Sequence, residues 1–444
     1  MMILGAQKTT VAAPKGQDYP PGSDPAGKGH IGWLVAGALM VGVVAALLLA
    51  AAPFIPATES GVTAGILLGF ALGWALLAVL SVRFTDQPQK WALGPALFMG
   101  LGGLLLVVFG APLQEVLAWL WPPALLVLGV WMIVRIRRQL PSRSARALLY
   151  PVIALLVIAS LASGYETVRG AATAGATPGH GRLIDVGGHR LYLDCTGSGS
   201  PTVVLEPGAG LTSSSLALIA PKVAQDTRVC VYDRAGRGWS EPATVPQDGA
   251  QIANDLHTLL QRANEPGPYV LAGHSLGGLY ALTFAARYPG EVAGLVLVDS
   301  TAPALDPGPS TAEPARPNDT THRLSALIAA AGRLGIGPLL GVESGNHLRS
   351  TVDEYLLAGS SVQQGAALRT LADKPLVVLT AGSGTRPGWT ESHDALATLS
   401  TNNLHRVVDG ATHGSLLDDD QDAAETARGI LDAVTAVRNE AGLQ

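Results

Sequence analysis

Apolar residues are spread unevenly along the 444-residue chain. Before residue 165 they run almost unbroken, and five segments, 31–53, 61–82, 91–111, 116–134 and 147–163, each approach the roughly 20 residues that carry a helix across a bilayer. After residue 181 the pattern changes to short Val- and Leu-rich runs alternating with amphipathic stretches, which predicts strands and helices in turn. The strand runs are 182–186, 189–195, 202–206, 228–232, 269–273, 294–299, 375–381 and 404–408. Helices are predicted over 213–225, 247–264, 276–288, 390–399 and 423–437. The first two strand runs flank Gly187-Gly188, a two-residue hairpin signal. Strands that are apolar throughout and separated by helices belong to a parallel sheet covered on both faces, so the second half reads as α/β.

The stretch 301–373 breaks this rhythm. It opens Pro-rich and continues as helical patterns around 322–333 and 350–371, and an insertion of this size between two strands reads as a lid over the strand ends. The predicted organisation is a polar arm at 1–30, five membrane helices over 31–164, a linker rich in Ala, Gly and Thr at 165–181, an α/β domain at 182–438 and a tail at 439–444.

Charge changes the picture of the first half. Glu59, Asp86 and Glu115 are the carboxylates between residues 31 and 163, and all three fall between spans or at their edges. Ion pathways and proton relays place such groups at mid-depth, so the spans read as anchor and packing, not conduit. Gly61, Gly65, Gly69 and Gly73 recur at every fourth position and leave one face of the second span as bare backbone. Packing within the chain is one use of that face; a homo-oligomer formed through the second span is the other. Arg135, Arg137, Arg138, Arg143 and Arg146 lie between spans four and five, and Arg83 and Lys90 between two and three, whereas 54–60 and 112–115 have no Lys or Arg. Short basic loops stay cytoplasmic, so the amino terminus with Lys8, Lys15 and Lys28 is expected inside, and an odd number of spans puts the α/β domain outside. No short apolar core begins near Met1, so the expectation is an uncleaved first span and no signal peptide. The net charge of −5 gives no reason to invoke nucleic acid.

The candidate chemistry sits at Val270-Leu271-Ala272-Gly273-His274-Ser275-Leu276-Gly277-Gly278, where a strand pattern is broken by G-x-S-x-G and followed by a helix pattern. With 53 Gly in the chain the bare motif arises easily by chance, but the strand and helix on either side give it the context of a nucleophile elbow. Three other segments stand in matching order. Leu205-Glu206-Pro207-Gly208-Ala209-Gly210 follows the third strand, Asp233-Arg234-Ala235-Gly236-Arg237-Gly238-Trp239-Ser240 the fourth, and Ala411-Thr412-His413-Gly414 the eighth. Together they resemble the α/β-hydrolase fold over residues 182–438, in the order of elements that family shows.

The resemblance implies that Ser275 is a nucleophile, His413 its base, and the amides of Leu276 and Ala209 an oxyanion hole. The family's commonest acid position follows the seventh strand, where Thr380-Ala381-Gly382-Ser383-Gly384-Thr385-Arg386 offers no carboxylate. The family's other position, at the end of the sixth strand, holds Asp299, which is the expected orienter of His413, with Asp394 in reserve. A surface-loop histidine and a turn-capping aspartate are the bland alternatives for His413 and Asp299. Asp233 and Arg234 read as structural ties of their loop. On the residues alone, Cys195 and Cys230 stand equally as two free thiols; the family's second and fourth strands are antiparallel neighbours, which implies a disulfide between them.

The expected activity is a membrane-anchored, extracytoplasmic serine hydrolase acting on an ester or related acyl bond of a small or lipid-like substrate. No cofactor and no metal are called for. Perhydrolase-like or amide-cleaving chemistry in the same fold is the alternative, as is a non-catalytic surface or signalling protein favoured by the missing acid after strand seven. Similar folds acting as dehalogenases or epoxide hydrolases use Asp where this chain has Ser275.

Overall fold

The computed structural model describes residues 31–175, 180–243, 246–303, 319–333 and 345–443. Among these, five helices are long and apolar enough to cross a membrane: α1 (Ile31–Ala51), α2 (Glu59–Phe84), α3 (Leu93–Phe109, preceded by a short turn from Lys90), α4 (Ala111–Gln139) and α5 (Arg143–Gly175). The glycine face of α2 is spent inside the chain, against α1. A Cβ added to Gly69 would lie 2.1 Å from Ala46 N, and one on Gly73 would lie 2.8 Å from Gly42 Cα, so only bare backbone allows this approach. Pro122 and Pro123 lie within α4. Proline has no N–H to offer the carbonyl four residues back, and the Ala118 carbonyl so released takes a hydrogen bond from Thr167 Oγ1 of α5 at 3.2 Å.

The expected linker at 165–181 is corrected over its first part: α5 continues as helix to Gly175. Its Ala-rich end has good helix propensity and no proline before Pro178 to stop it. Residues 176–179 lie outside the described residues, as do the arm at 1–30 and the Pro-rich opening of the insertion from 304 to 318.

The second half is an eight-stranded sheet in the order β1-β2-β4-β3-β5-β6-β7-β8. Its strands are β1 (Arg182–Asp185), β2 (Arg190–Thr196), β3 (Val203–Glu206), β4 (Val229–Tyr232), β5 (Tyr269–His274), β6 (Val292–Val298), β7 (Leu376–Ala381) and β8 (Asn403–Val408). β2 is antiparallel to both its neighbours and the remaining pairs are parallel. β3, β5 and β7 are buried at every position, as strands sandwiched between helices must be. Alternate residues feed two cores. Tyr269 and Leu271 of β5 pack with the helices Gly249–Ala263 and Leu276–Arg287, while Val270 and Ala272 pack with the helix Asp420–Asn439. The stretch 213–225 is not a single helix but a 3-10 turn at Ser213–Leu216 and a separate helical turn at Ala220–Val223. Pro221 falls inside the stretch, where it has no N–H for the carbonyl four residues back and sits instead in the first turn of the second piece.

Cys195 faces Cys230 in the β2–β4 register, and the two form a disulfide. The insertion contributes the helices Asp319–Arg333, Gly345–Leu356 and Ala358–Gly365. The first of these docks on the membrane helices: Ala326 packs with Ala50 of α1 and Val62 of α2, and Arg323 donates to the carbonyls of Ala50 (3.1 Å) and Ile55 (2.7 Å).

Candidate active site

β5 ends at His274, and the chain reverses through Ser275 into the helix Leu276–Arg287. Ser275 has φ +56° and ψ −124°, a strained conformation for a residue with a side chain. Two glycines make the turn sterically feasible. A Cβ on Gly273 would meet Gly277 O at 2.6 Å, and one on Gly277 would meet Glu206 O at 2.4 Å. The turn is held by Ser275 N–H donating to Val298 O and by Ser300 Oγ donating to Gly273 O at 2.8 Å. Ser275 is half-buried.

The amides of Leu276, at the start of the helix, and of Ala209, in the loop after β3, flank this serine. Gly208, next to Ala209, comes so close that its Cβ would lie 3.2 Å from Ser275 Cβ. Among the described residues neither amide is engaged in a backbone or side-chain hydrogen bond. Two unspent N–H groups next to a hydroxyl are what a developing oxyanion requires.

Asp299, one residue beyond β6, also has positive φ, +42°. Its carboxylate is buried and fully occupied. Oδ1 accepts from Ala381 N–H at 3.0 Å and Trp389 Nε1–H at 2.7 Å, and Oδ2 accepts from His413 Nδ1 at 2.6 Å. Burial alone would raise its pKa, but the bonds from His413, Trp389 and Ala381 outweigh it and hold the carboxyl at about 2. An ionised partner fixes the proton of His413 on Nδ1 and leaves Nε2 as the acceptor. His413 stands in the loop after β8 with its side chain half exposed. No hydrogen bond joins Ser275 Oγ to His413 among the described residues.

Asp394 is placed elsewhere. It pairs with His405 Nδ1 at 2.7 Å, and from there Thr380 Oγ1 links His405 Nε2 to His393 Nδ1 in a chain that ends at Ser300 O. This arrangement braces the helix Trp389–Ala397 and does not reach His413.

Three participants escaped the sequence reading. Trp389 secures Asp299 across 90 positions of chain. His274 donates through Nε2 to the backbone carbonyl of His413 at 2.9 Å, and the two rings lie 4.4 Å apart. Burial, then the neighbouring His413, lower the pKa of His274 to about 4, which keeps it neutral. Glu354, on a lid helix, accepts from Gly210 N–H at 3.2 Å in the loop that carries Ala209. Asp233 ties its own loop as expected, accepting from Ser213 N–H and Trp239 N–H. Cys195, Cys230 and Glu265 converge, but both sulfurs are consumed by the disulfide and Glu265 is paired with Arg228, so the group offers no thiolate ligands.

Residues 201–365 match the family model described as alpha/beta hydrolase fold. Over 226 residues the chain is 29% identical to an uncharacterized protein of Schizosaccharomyces pombe, covering 46% of this chain and 41% of that protein. A 115-residue stretch is 39% identical to a pimeloyl-[acyl-carrier protein] methyl ester esterase of Chromobacterium violaceum, covering 26% of this chain and 41% of that one. The chain thus spans about two fifths of the length of these curated relatives. Among solved structures, Cfl2 of Burkholderia cenocepacia is similar with a TM-score of 0.42 and 21% identity, over 57% of this chain and 95% of that one.

Proposed function

Since the chain carries an α/β-hydrolase-fold domain behind five helices long enough to span a membrane, we propose that it is a membrane-anchored serine hydrolase that cleaves an ester or related acyl bond outside the cytoplasm. The observation that carries this reading is the bond between Asp299 and His413, two residues 114 positions apart that meet beside the Ser275 elbow. It also offers a candidate acid in place of the one missing after β7, which speaks against a non-catalytic domain.

In this reading Ser275 Oγ attacks the acyl carbon as its proton passes to His413 Nε2, and the carbonyl oxygen, now negative, accepts from the amides of Leu276 and Ala209. Collapse of the tetrahedral intermediate expels the alcohol, which takes the proton back from His413, and leaves an acyl ester on Ser275. Water, deprotonated by the same imidazole, attacks that ester and frees the acid and Ser275. Asp299 stays ionised throughout and stabilises the imidazolium. The ester-cleaving relative from Chromobacterium violaceum supports an ester bond as the target.

The orientation is supported by where the domain meets the membrane helices. Arg323 binds near the 52–58 loop, which has no Lys or Arg, whereas the Arg-rich turn around Ser144 packs by Gly32 at the opposite end of α1. A substrate that resides in or near the bilayer fits this placement. The test is Ser275→Ala in the full chain: turnover of a short-chain nitrophenyl ester and labelling by a fluorophosphonate both vanish. Ester turnover that survives the substitution overturns the mechanism.

A further inference from the structure

The Ala209 amide can serve an oxyanion only if it points at the acyl oxygen, and its direction is set by a peptide plane it shares with the Gly208 carbonyl. Because that plane is rigid, whatever holds the Gly208 oxygen aims the Ala209 N–H to the opposite side. The Gly208 oxygen is held by Arg234 Nη2 at 2.7 Å and by Leu211 N–H at 3.2 Å. Arg234 also donates to Pro207 O at 2.7 Å, so one guanidinium grips two consecutive carbonyls of the loop.

Arg234 is itself buried and placed by two carboxylates. Glu206, at the end of β3, accepts from Nη1 at 2.5 Å, and Glu354 accepts from Nε at 2.7 Å. Glu354 belongs to the lid helix Gly345–Leu356, more than a hundred residues away in sequence, and its other oxygen accepts from Gly210 N–H and pairs with Arg237 at 2.6 Å. The same helix sends His347 Nε2 to Gly210 O at 2.9 Å. Both sides of Ala209 are therefore fixed, the Gly208 side through Arg234 and the Gly210 side by the lid directly. Two arginines and two glutamates balance in charge, and Tyr232 adds a hydrogen bond to Glu206. A buried group of this kind is costly to assemble, and removing one member leaves an uncompensated buried charge.

We propose that Glu354 is a positioning residue through which the lid sets the direction of the Ala209 N–H, so that the oxyanion hole is complete only with the lid helix Gly345–Leu356 seated. This rests on the serine-hydrolase reading above. Glu354 touches no reacting atom; it acts through Arg234 and Gly210. It follows that displacing this lid helix lowers the rate of acyl transfer even with Ser275, His413 and Asp299 unmoved.

The experiment compares Glu354→Gln with the unsubstituted full chain in detergent, using fluorophosphonate titration to count competent Ser275. Rates per titrated site are then measured on an oxygen ester and on its thiono counterpart, whose C=S sulfur is a poor acceptor for amide N–H. The expected result is a kcat reduced about 10- to 100-fold with KM within about twofold, and a preference for the oxygen ester diminished about tenfold or more. A lost structural support alone would lower the titrated fraction and leave that preference unchanged, and this outcome overturns the proposal. If Glu354→Gln does not accumulate folded, Glu354→Asp, which keeps the charge and shortens the reach by one methylene, is read in the same way. Ser275→Ala retaining ester turnover sinks the serine-hydrolase reading itself, an outcome distinct from an unchanged preference in a Ser275-dependent enzyme.

Discussion

His413 Nδ1 lies 2.6 Å from Asp299 Oδ2, while Asp394, 19 residues before His413, is paired with His405 instead. In the proposed triad the acid therefore comes from the end of β6. Asp299→Asn replaces an acceptor by a group that can donate, which favours the wrong imidazole tautomer, and should lower kcat on an ester by about 10³- to 10⁴-fold. Asp394→Asn should leave kcat within about threefold, because its partner is a surface-linked histidine outside the site. Steady-state rates of the two variants decide between the positions; the reverse ranking would assign the acid to Asp394.

His274, packed against His413, gives the domain an acid-sensitive point. Its folded-state pKa is depressed to about 4 from an ordinary value of 6.5, so between these values the unfolded chain binds a proton that the folded chain refuses. Stability is complete above about pH 6.5 and falls as the pH drops toward 4, by up to about 3 kcal/mol. Asp299, with its pKa lowered to about 2, adds a further loss only below about pH 4, its usual unfolded value. His274→Gln keeps a donor for the His413 carbonyl without the titration. Thermal unfolding of both proteins at pH 7.5 and 4.5 should show a smaller acid-induced drop for the variant, and equal drops would refute this assignment.

The meeting of the loops that bear Ser275, His413 and Asp299 is legible in the sequence because each follows an apolar strand run, and strand order fixes which loops meet at one edge of a parallel sheet. Trp389, His274 and Glu354 are not. Their roles depend on contacts that join positions 90 to 144 residues apart, and nothing in local spacing distinguishes Glu354 from an ordinary helix-surface glutamate. The composition of residues 165–175 points away from their structure for a different reason. Ala, Gly and Thr signal loop by composition, but a helix already propagating from the apolar part of α5 carries them at little cost per residue. The glycine stripe of α2 marks a close-packing face in the sequence, yet only the placement of α1 shows what occupies it.

The disulfide closes a loop of 35 residues between β2 and β4, the second and third strands in the sheet order. Restricting an unfolded chain of that length is worth about 3–4 kcal/mol in the chain-entropy account. Cys195→Ser with Cys230→Ser should lower the unfolding midpoint by several degrees while ester turnover per folded molecule is retained, since neither sulfur lies at the Ser275 elbow. Alkylation of both cysteines in the unreduced protein would show that the bridge is not formed.

The last prediction concerns what holds the lid. Arg323 places its guanidinium on the Ala50 and Ile55 carbonyls, at the carboxy-terminal end of α1, where a helix presents unpaired carbonyls and the negative end of its dipole. Hydrogen bonds to a charged donor contribute about 1.5–3 kcal/mol each when sheltered, less where water reaches them, and the adjoining apolar contact is small, Ala326 against Ala50 and Val62. The arginine therefore supplies most of the specificity of this docking. The docked helix packs in turn on the helix that bears Glu354, so the α1–α2 end of the apolar helices and the loop that carries Ala209 are joined by one stack of side chains. Arg323→Ala should raise the rate of limited proteolysis within the helix Asp319–Arg333 about tenfold and reduce ester turnover by less than Glu354→Gln does, because the second lid helix retains its own bonds to the loop. Arg428→Ala, which removes an exposed pair with Glu425 on the far helix, serves as the control and should change neither. If Arg323→Ala leaves proteolysis unchanged, the membrane helices do not hold the lid.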